Sequence, residues 1–235
     1  AVSGVAMARV VIVFDFDKTI IDCDSDNWIV DELGVTQLFT QLLPTLPWNS
    51  LMDRMLMELH SQGKTIEVIA ECLKKVPLNP RIISSIKSAH ASGCDLRIVS
   101  DANAFFIETI LKHHGLINCF SEINTNPSFI DREAEGNKRF IYLGDGSADF
   151  CASLKLEGGD FLMPRKDFPI WEIICTNQRL IKASIHEWSN GEDLETTLLK
   201  LLNSFFLEEE KSSVRTDQLV EVDCKFLTSS IITYA

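Results

Sequence analysis

Apolar positions in this chain gather into short unbroken runs, each stopping at an acid, a serine or a glycine. The clearest is Val10 to Phe14, which ends at Asp15. A continuous run of this length fits a strand buried on both faces, as in a parallel sheet, better than the alternation of a half-exposed strand. Asp95 to Ser100 (DLRIVS) is a shorter run ending at Ser100 and Asp101. Phe140 to Leu143 is a third, ending in Gly144, Asp145 and Gly146, with Asp149 just beyond. Between the first two runs, residues 22 to about 78 change to a helical period. Asn27–Leu33 is closed by Gly34; Leu51–Leu59 and Ile66–Leu73 follow, with Gly63 and Pro77 as breaks. Pro80–Ala91 and Ala104–His114 predict helices closed by Gly93 and Gly115. Ile117–Ile123 predicts a strand, Ser147–Leu156 a helix, Asp160–Met163 a strand, Phe168–Cys175 a helix and Ala183–Trp188 a last strand. Leu194–Phe206 predicts an amphipathic closing helix.

Strands alternating with helices predict an α/β fold with a doubly wound, Rossmann-like parallel sheet and a small all-helical insertion after the first strand. Residues 9–21 and 80–206 would form the core, 22–79 the helical insertion and 207–235 a poorly ordered tail, with a disordered lead-in over Ala1–Ala8. Open sheets of this class bind ligands at the carboxyl ends of their strands. All three runs deliver small or acidic residues there, so they would converge on one crevice. Alternate residues of an extended segment share a face, which lets Asp15 and Asp17 enter one pocket while Phe16 turns away, and Thr19 follows as a small hydroxyl donor. Each piece has a plainer reading: acids capping a strand, or a Gly-Asp turn with a helix N-cap at Asp145 and Asp149.

Composition narrows the chemistry. The formal net charge of −12 speaks against a nucleic-acid or anionic-membrane surface, since both need basic patches. It also means a phosphorylated substrate would be repelled unless a cation neutralises the site, so the clustered acids lead us to expect a metal. The seven cysteines are scattered without a C-x-x-C pair, and the histidines make no metal-ligand spacing. This reads as reduced thiols in a cytoplasmic protein. No signal peptide and no membrane-spanning run is expected, and nothing in the pattern specifies an oligomer.

DFDKT, the serine of IVSDAN, and GDGSAD resemble the first, second and fourth motifs of the haloacid dehalogenase (HAD) phosphatases. FDFDKTI, DSDNW, the LPW at residues 46–48, IVSDAN and RFIYLGDG resemble more closely the phosphoethanolamine/phosphocholine phosphatase branch, whose plant members include thiamine phosphate phosphatase-like and pyrophosphatase-like enzymes. The resemblance implies a phosphatase acting on a small phosphorylated metabolite through an aspartyl-phosphate intermediate, with residues 22–79 as a small helical cap over the site. Asp15 would be the nucleophile and Asp17 the general acid and then base. Mg²⁺ would bind Asp15, the backbone carbonyl of Asp17, Asp145 and Asp149, the last directly or through water. Thr19 and Ser100 would hold the phosphate, and Asp26 and Asp101 would lie near a cationic head group.

One part of the pattern departs from the family. The third motif, a lysine within C-K-G, and the helix after it are missing between Ile123 and Arg139, a segment barely long enough for a parallel crossover. Lys138 is the nearest lysine, but it precedes a strand and so belongs at the opposite end of the sheet. Two other readings follow. One is a shortened, catalytically impaired paralogue that still binds a ligand. The other is a phospho-accepting receiver domain, which would need only about half this length and no helical insertion.

Overall fold

The computed structural model describes residues 10–125, 138–205 and 207. The expected lead-in and the segment 126–137 lie outside the described residues, as does the tail apart from Leu207. Six strands form one parallel sheet: β1 (Val10–Phe14), β2 (Asp95–Val99), β3 (Glu122–Asn124), β4 (Arg139–Gly144), β5 (Phe161–Pro164) and β6 (Ser184–Ile185). Their order is β3-β2-β1-β4-β5-β6, the doubly wound arrangement predicted from the alternation of elements. β1 lies inside the sheet, with Val11 opposite Asp95 on one side and Val10 opposite Arg139 on the other.

The unbroken apolarity of β1 now has its cause. Val10, Ile12 and Phe14 pack into a large cluster with the helices of the inserted segment, while Val11 and Val13 join Phe140, Tyr142, Ile170 and Ile174 on the opposite face. Each fully buried side chain of this kind is worth about 1.5–3 kcal/mol relative to exposure. The inserted segment supplies α1 (Ser25–Glu32), α2 (Thr36–Leu42), α3 (Trp48–Ser61) and α4 (Ile66–Leu73). After them come α5 (Pro80–Ala91), α6 (Ala104–His113), α7 (Asp149–Ser153) and α8 (Pro169–Asn177), and a last helix, α9, spans 191–205. Asp24, Asn79 and Asn103 start α1, α5 and α6 by accepting the amides of Asn27, Arg81 and Phe105. Gly93 and Gly115 end α5 and α6 at φ of 83° and 67°, a backbone region where a side chain is strained.

Three expectations need correction. Ile117–Ile123 is mostly not a strand: Ile117–Cys119 is a 3₁₀ turn, and only Glu122–Asn124 pairs with β2. The turn brings Phe120 edge-on to Phe14, a packing gain that periodicity along the chain does not register. The helix expected over Ser147–Leu156 shortens to Asp149–Ser153. β2 is not buried on both faces, because Arg97 and Val99 are only half-buried while Leu96 and Ile98 are covered. The Arg97 guanidinium pairs with Asp95 at 2.7 Å and is thereby compensated on that face.

Candidate active site

The carboxyl ends of β1, β2 and β4 enclose a cavity of about 450 Å³, lined by Asp15, Asp17, Ser100, Asp101, Asp145 and Asp149 among others. The chain enters it through a tight turn. The Phe16 carbonyl accepts the amides of Thr19, Ile20 and Ile21, and Phe16 itself is fully buried. That turn, more than strand alternation, places the carboxylates of Asp15 and Asp17 on one wall. The Asp15 amide still donates to Leu143 at 2.9 Å, so the residue is held against β4.

Ligand oxygens of Asp15, Asp145 and Asp149 all lie within 4.8 Å of one another. Burial, then the charge of Asp149, holds the Asp15 carboxyl well above the usual carboxylate range, against the lowering effect of the Phe16 amide and the Ser100 hydroxyl. Asp145 is raised by burial, and Asp149 is pushed by burial to about 6. Three carboxylates this close oppose one another's ionisation, and a hard divalent cation among their oxygens would relieve it. The donor set therefore fits an oxygen-preferring ion.

Asp149 has a second task. Its Oδ2 accepts the Asp145 and Gly146 amides at 3.0 and 2.8 Å, and its Oδ1 accepts the Tyr142 hydroxyl at 2.7 Å. A carboxylate has roughly four acceptor positions, so only about one remains for an ion or a water. The short α7 therefore does not offer the Gly146 amide to a phosphate, because Asp149 occupies it. Gly144 makes this approach possible: a Cβ there would lie 2.5 Å from Asp149 Cγ.

Asp17, on the same wall, is held by the start of α1. Its oxygens accept the Ser25 amide at 3.0 Å and the Ser25 hydroxyl at 3.1 Å. Burial, then the Asp24 charge, raises it to about 8 despite those bonds. It sits beside the cavity as a protonated acid near neutrality, a state suited to giving up a proton.

The remaining expected residues separate. Thr19 is 1% exposed and is not on the wall; its hydroxyl points to Asp145 Oδ1 at a long 3.5 Å. Asp26 also stands behind the wall, where it accepts the Trp48 indole N–H at 2.8 Å, and Asp24 takes the cavity-facing position beside Asp101. Burial first, then the Asp24 and Asp101 charges, raise Asp26 to about 6 against the Trp48 bond, so these three acids form one group. Ser25, Tyr142 and Asp24 were not singled out by sequence. Tyr142, a polar side chain two residues before the Gly-Asp of an otherwise apolar strand, carried the only local hint. Lys138 pairs with Asp95 at 3.5 Å, at the amino end of the sheet and away from Asp15, as its position before β4 implied.

Comparison with known proteins decides the family. A family model described as Putative Phosphatase matches residues 10–137 and 131–202. "Inorganic pyrophosphatase 1" and "Thiamine phosphate phosphatase-like protein" of Arabidopsis thaliana are each 49% identical, the first over 92% of this chain and 87% of that protein, the second over 87% and 100%. The chain belongs to this phosphatase family. Human phosphoethanolamine/phosphocholine phosphatase is 27% identical over 83% of this chain and 90% of that protein. A substrate-bound phosphoserine phosphatase shares the fold at a TM-score of 0.51 and 16% identity, over 79% of this chain and 97% of that one. The match to the first Arabidopsis relative runs over 258 positions, more than the 235 residues of this chain, so that relative carries residues within the matched stretch that this chain lacks. The family match falls into two parts that overlap at 131–137, between β3 and β4. Among the described residues, no helix is long and apolar enough to cross a membrane.

These charges predict a pH-dependent stability. Asp15, Asp17, Asp145 and Asp149 keep their protons in the folded chain to higher pH than the 3.8 of an ordinary aspartate. The folded state then binds more protons than the unfolded one. Stability without a divalent cation therefore falls as pH rises from about 3.8 toward the value of about 8 for Asp17. A cation binding the same oxygens competes with those protons. Adding Mg²⁺ is expected to raise the melting temperature more at about pH 8 than at about pH 5. A shift that is equal at the two pH values, or larger at the lower, would mean that the cluster does not hold the ion.

Proposed function

We propose that this phosphatase hydrolyses small phosphomonoesters bearing a cationic amine, through an aspartyl-phosphate on Asp15, with Mg²⁺ as its ion. Asp15, Asp145, Asp149 and the backbone carbonyl of Asp17 would hold the ion, which when bound neutralises phosphate oxygens and orients the ester. Asp15 attacks phosphorus while Asp17 gives its proton to the leaving oxygen, then takes one from the water that cleaves the acyl phosphate. Ser100 donates to the phosphate, and Thr19 supports Asp145 from below. The helices α1 to α4, within residues 22–79, serve as the cap over the substrate. The observation that carries the substrate class is the acidic side of the cavity, where Asp24 and Asp101 line the wall and Asp26 stands behind. A cationic head gains charge-assisted contacts there that a neutral head cannot. The Arabidopsis relatives named inorganic pyrophosphatase favour a second reading, pyrophosphate. A paralogue that only binds ligand is not favoured, because the acids needed for turnover converge in one cavity.

The test is kcat/KM with Mg²⁺ for phosphocholine, phosphoethanolamine, thiamine phosphate, glycerol phosphate and pyrophosphate. Asp101→Ala is expected to lower the amine esters by about tenfold or more and glycerol phosphate far less, and Asp26→Ala, which removes a charge behind the wall, to act in the same direction but less strongly. Equal losses across the series would reduce both acids to structural roles. A parent preference for pyrophosphate would decide for the second reading.

A further inference from the structure

The acids leave a charge problem. The cavity must admit a group carrying at least one negative charge past Asp24, Asp101, Asp145, Asp149 and the nucleophile Asp15, and one divalent ion offsets only part of the charge these acids carry once ionised. Among the described residues, Lys18 is the only lysine or arginine on the cavity wall. Arg165 lies nearby but is committed. Its guanidinium donates to the Lys18 carbonyl and to Asp22 at 2.8 Å, and it sits over the Phe168 ring at 4.2 Å.

Lys18 is held in an unusual way. Its φ is 55°, a left-handed conformation that favours glycine or asparagine. The backbone is fixed on both sides, its amide donating to Cys23 at 3.0 Å and its carbonyl accepting from Arg165. Strain retained at a clamped position beside a cleft points to a use for the side chain that occupies it. That side chain is 42% exposed, and its ammonium meets Asp24 only loosely, at 3.5 Å. Its charge also reaches Asp145, whose carboxyl it helps to lower.

Building on the phosphatase reading above, we propose that Lys18 is a catalytic residue whose ammonium leaves Asp24, contacts the phosphoryl oxygens and compensates their charge during transfer. The bond from phosphorus to the leaving oxygen breaks, the bond to Asp15 forms, and the proton passes from Asp17 to the leaving oxygen. Lys18 neither gains nor loses a proton.

The experiment measures inorganic phosphate binding by calorimetry at saturating Mg²⁺, beside turnover. Lys18→Met keeps the stem and the Cβ, so the backbone strain is unchanged and only the charge is lost. It is expected to weaken phosphate binding by about tenfold to a hundredfold and to lower kcat by about 10²–10³. Lys18→Arg is expected to restore most of both. Asp24→Asn keeps a side chain able to cap α1, frees the ammonium and removes a negative charge, so phosphate binding is expected to tighten. Parental phosphate affinity and turnover in Lys18→Met, with Asp15→Asn inactive, would overturn the role of Lys18 alone. Equal losses in Lys18→Met and Asp24→Asn would make the pair structural and overturn it as well. A parent that neither binds nor releases phosphate would overturn the phosphatase site itself, and this proposal with it.

Discussion

Asp15→Asn is expected to give a folded protein that releases no measurable phosphate. The amide cannot form a stable phosphoryl intermediate, and loss of a covalent nucleophile costs on the order of 10⁴ or more in turnover. The fold has little reason to change. Asparagine is nearly isosteric, and the backbone bond from residue 15 to Leu143 does not involve the side chain. The substitution also removes one of three mutually repelling buried carboxyls, so the melting temperature without metal is expected to hold or rise. Phosphate release beside a thermal melt checks both halves. More than a few per cent of parental turnover in the purified variant would show that another group is the nucleophile.

Asp17→Asn is the second large effect, and its pattern matters more than its size. Ser25 fixes this side chain beside the cavity, and burial raises it to about 8, so it holds a proton at neutral pH. A general acid of this kind contributes about 10²–10⁴, and only where the leaving group needs a proton. For alkyl esters such as phosphocholine, kcat/KM is therefore expected to fall by that factor. For p-nitrophenyl phosphate, whose leaving phenolate is stable unprotonated, kcat/KM is expected to fall far less. The acyl phosphate would then accumulate, since the same residue activates water in the second step, and a burst of nitrophenol would precede slow turnover. Losses in kcat/KM that are the same for aryl and alkyl esters would contradict the acid role and leave Asp17 as a structural acid.

Local chemistry was enough to determine much of this protein. The Val10–Phe14 run specifies a strand covered on both faces, because an unbroken apolar segment cannot leave either side in water. Asn79 with Pro80, and Asn103, start helices, and Gly93 and Gly115 end them, through bonds and dihedrals that depend on a few neighbouring residues. The convergence of Asp15, Ser100 and Asp145 follows from parallel strands that all end at one side. Other features depend on contacts between distant segments, and those have no local pattern. Thr19 was read as a phosphate donor, but folding places it beneath Asp145, 126 positions away. Asp26 was read as lying near a cationic head group; the Trp48 indole from α3 holds it behind the wall, which Asp24 lines. Tyr142 reads as an apolar strand residue until the turn after β4 brings Asp149 against its hydroxyl. Lys18 carries no distinguishing local signal within DFDKT; its turn is clamped by Arg165 from the end of β5. Sequence determines which groups a strand delivers to the cavity. The tertiary fold decides which of them face it, because each buried polar group must find its partner wherever the rest of the chain places one.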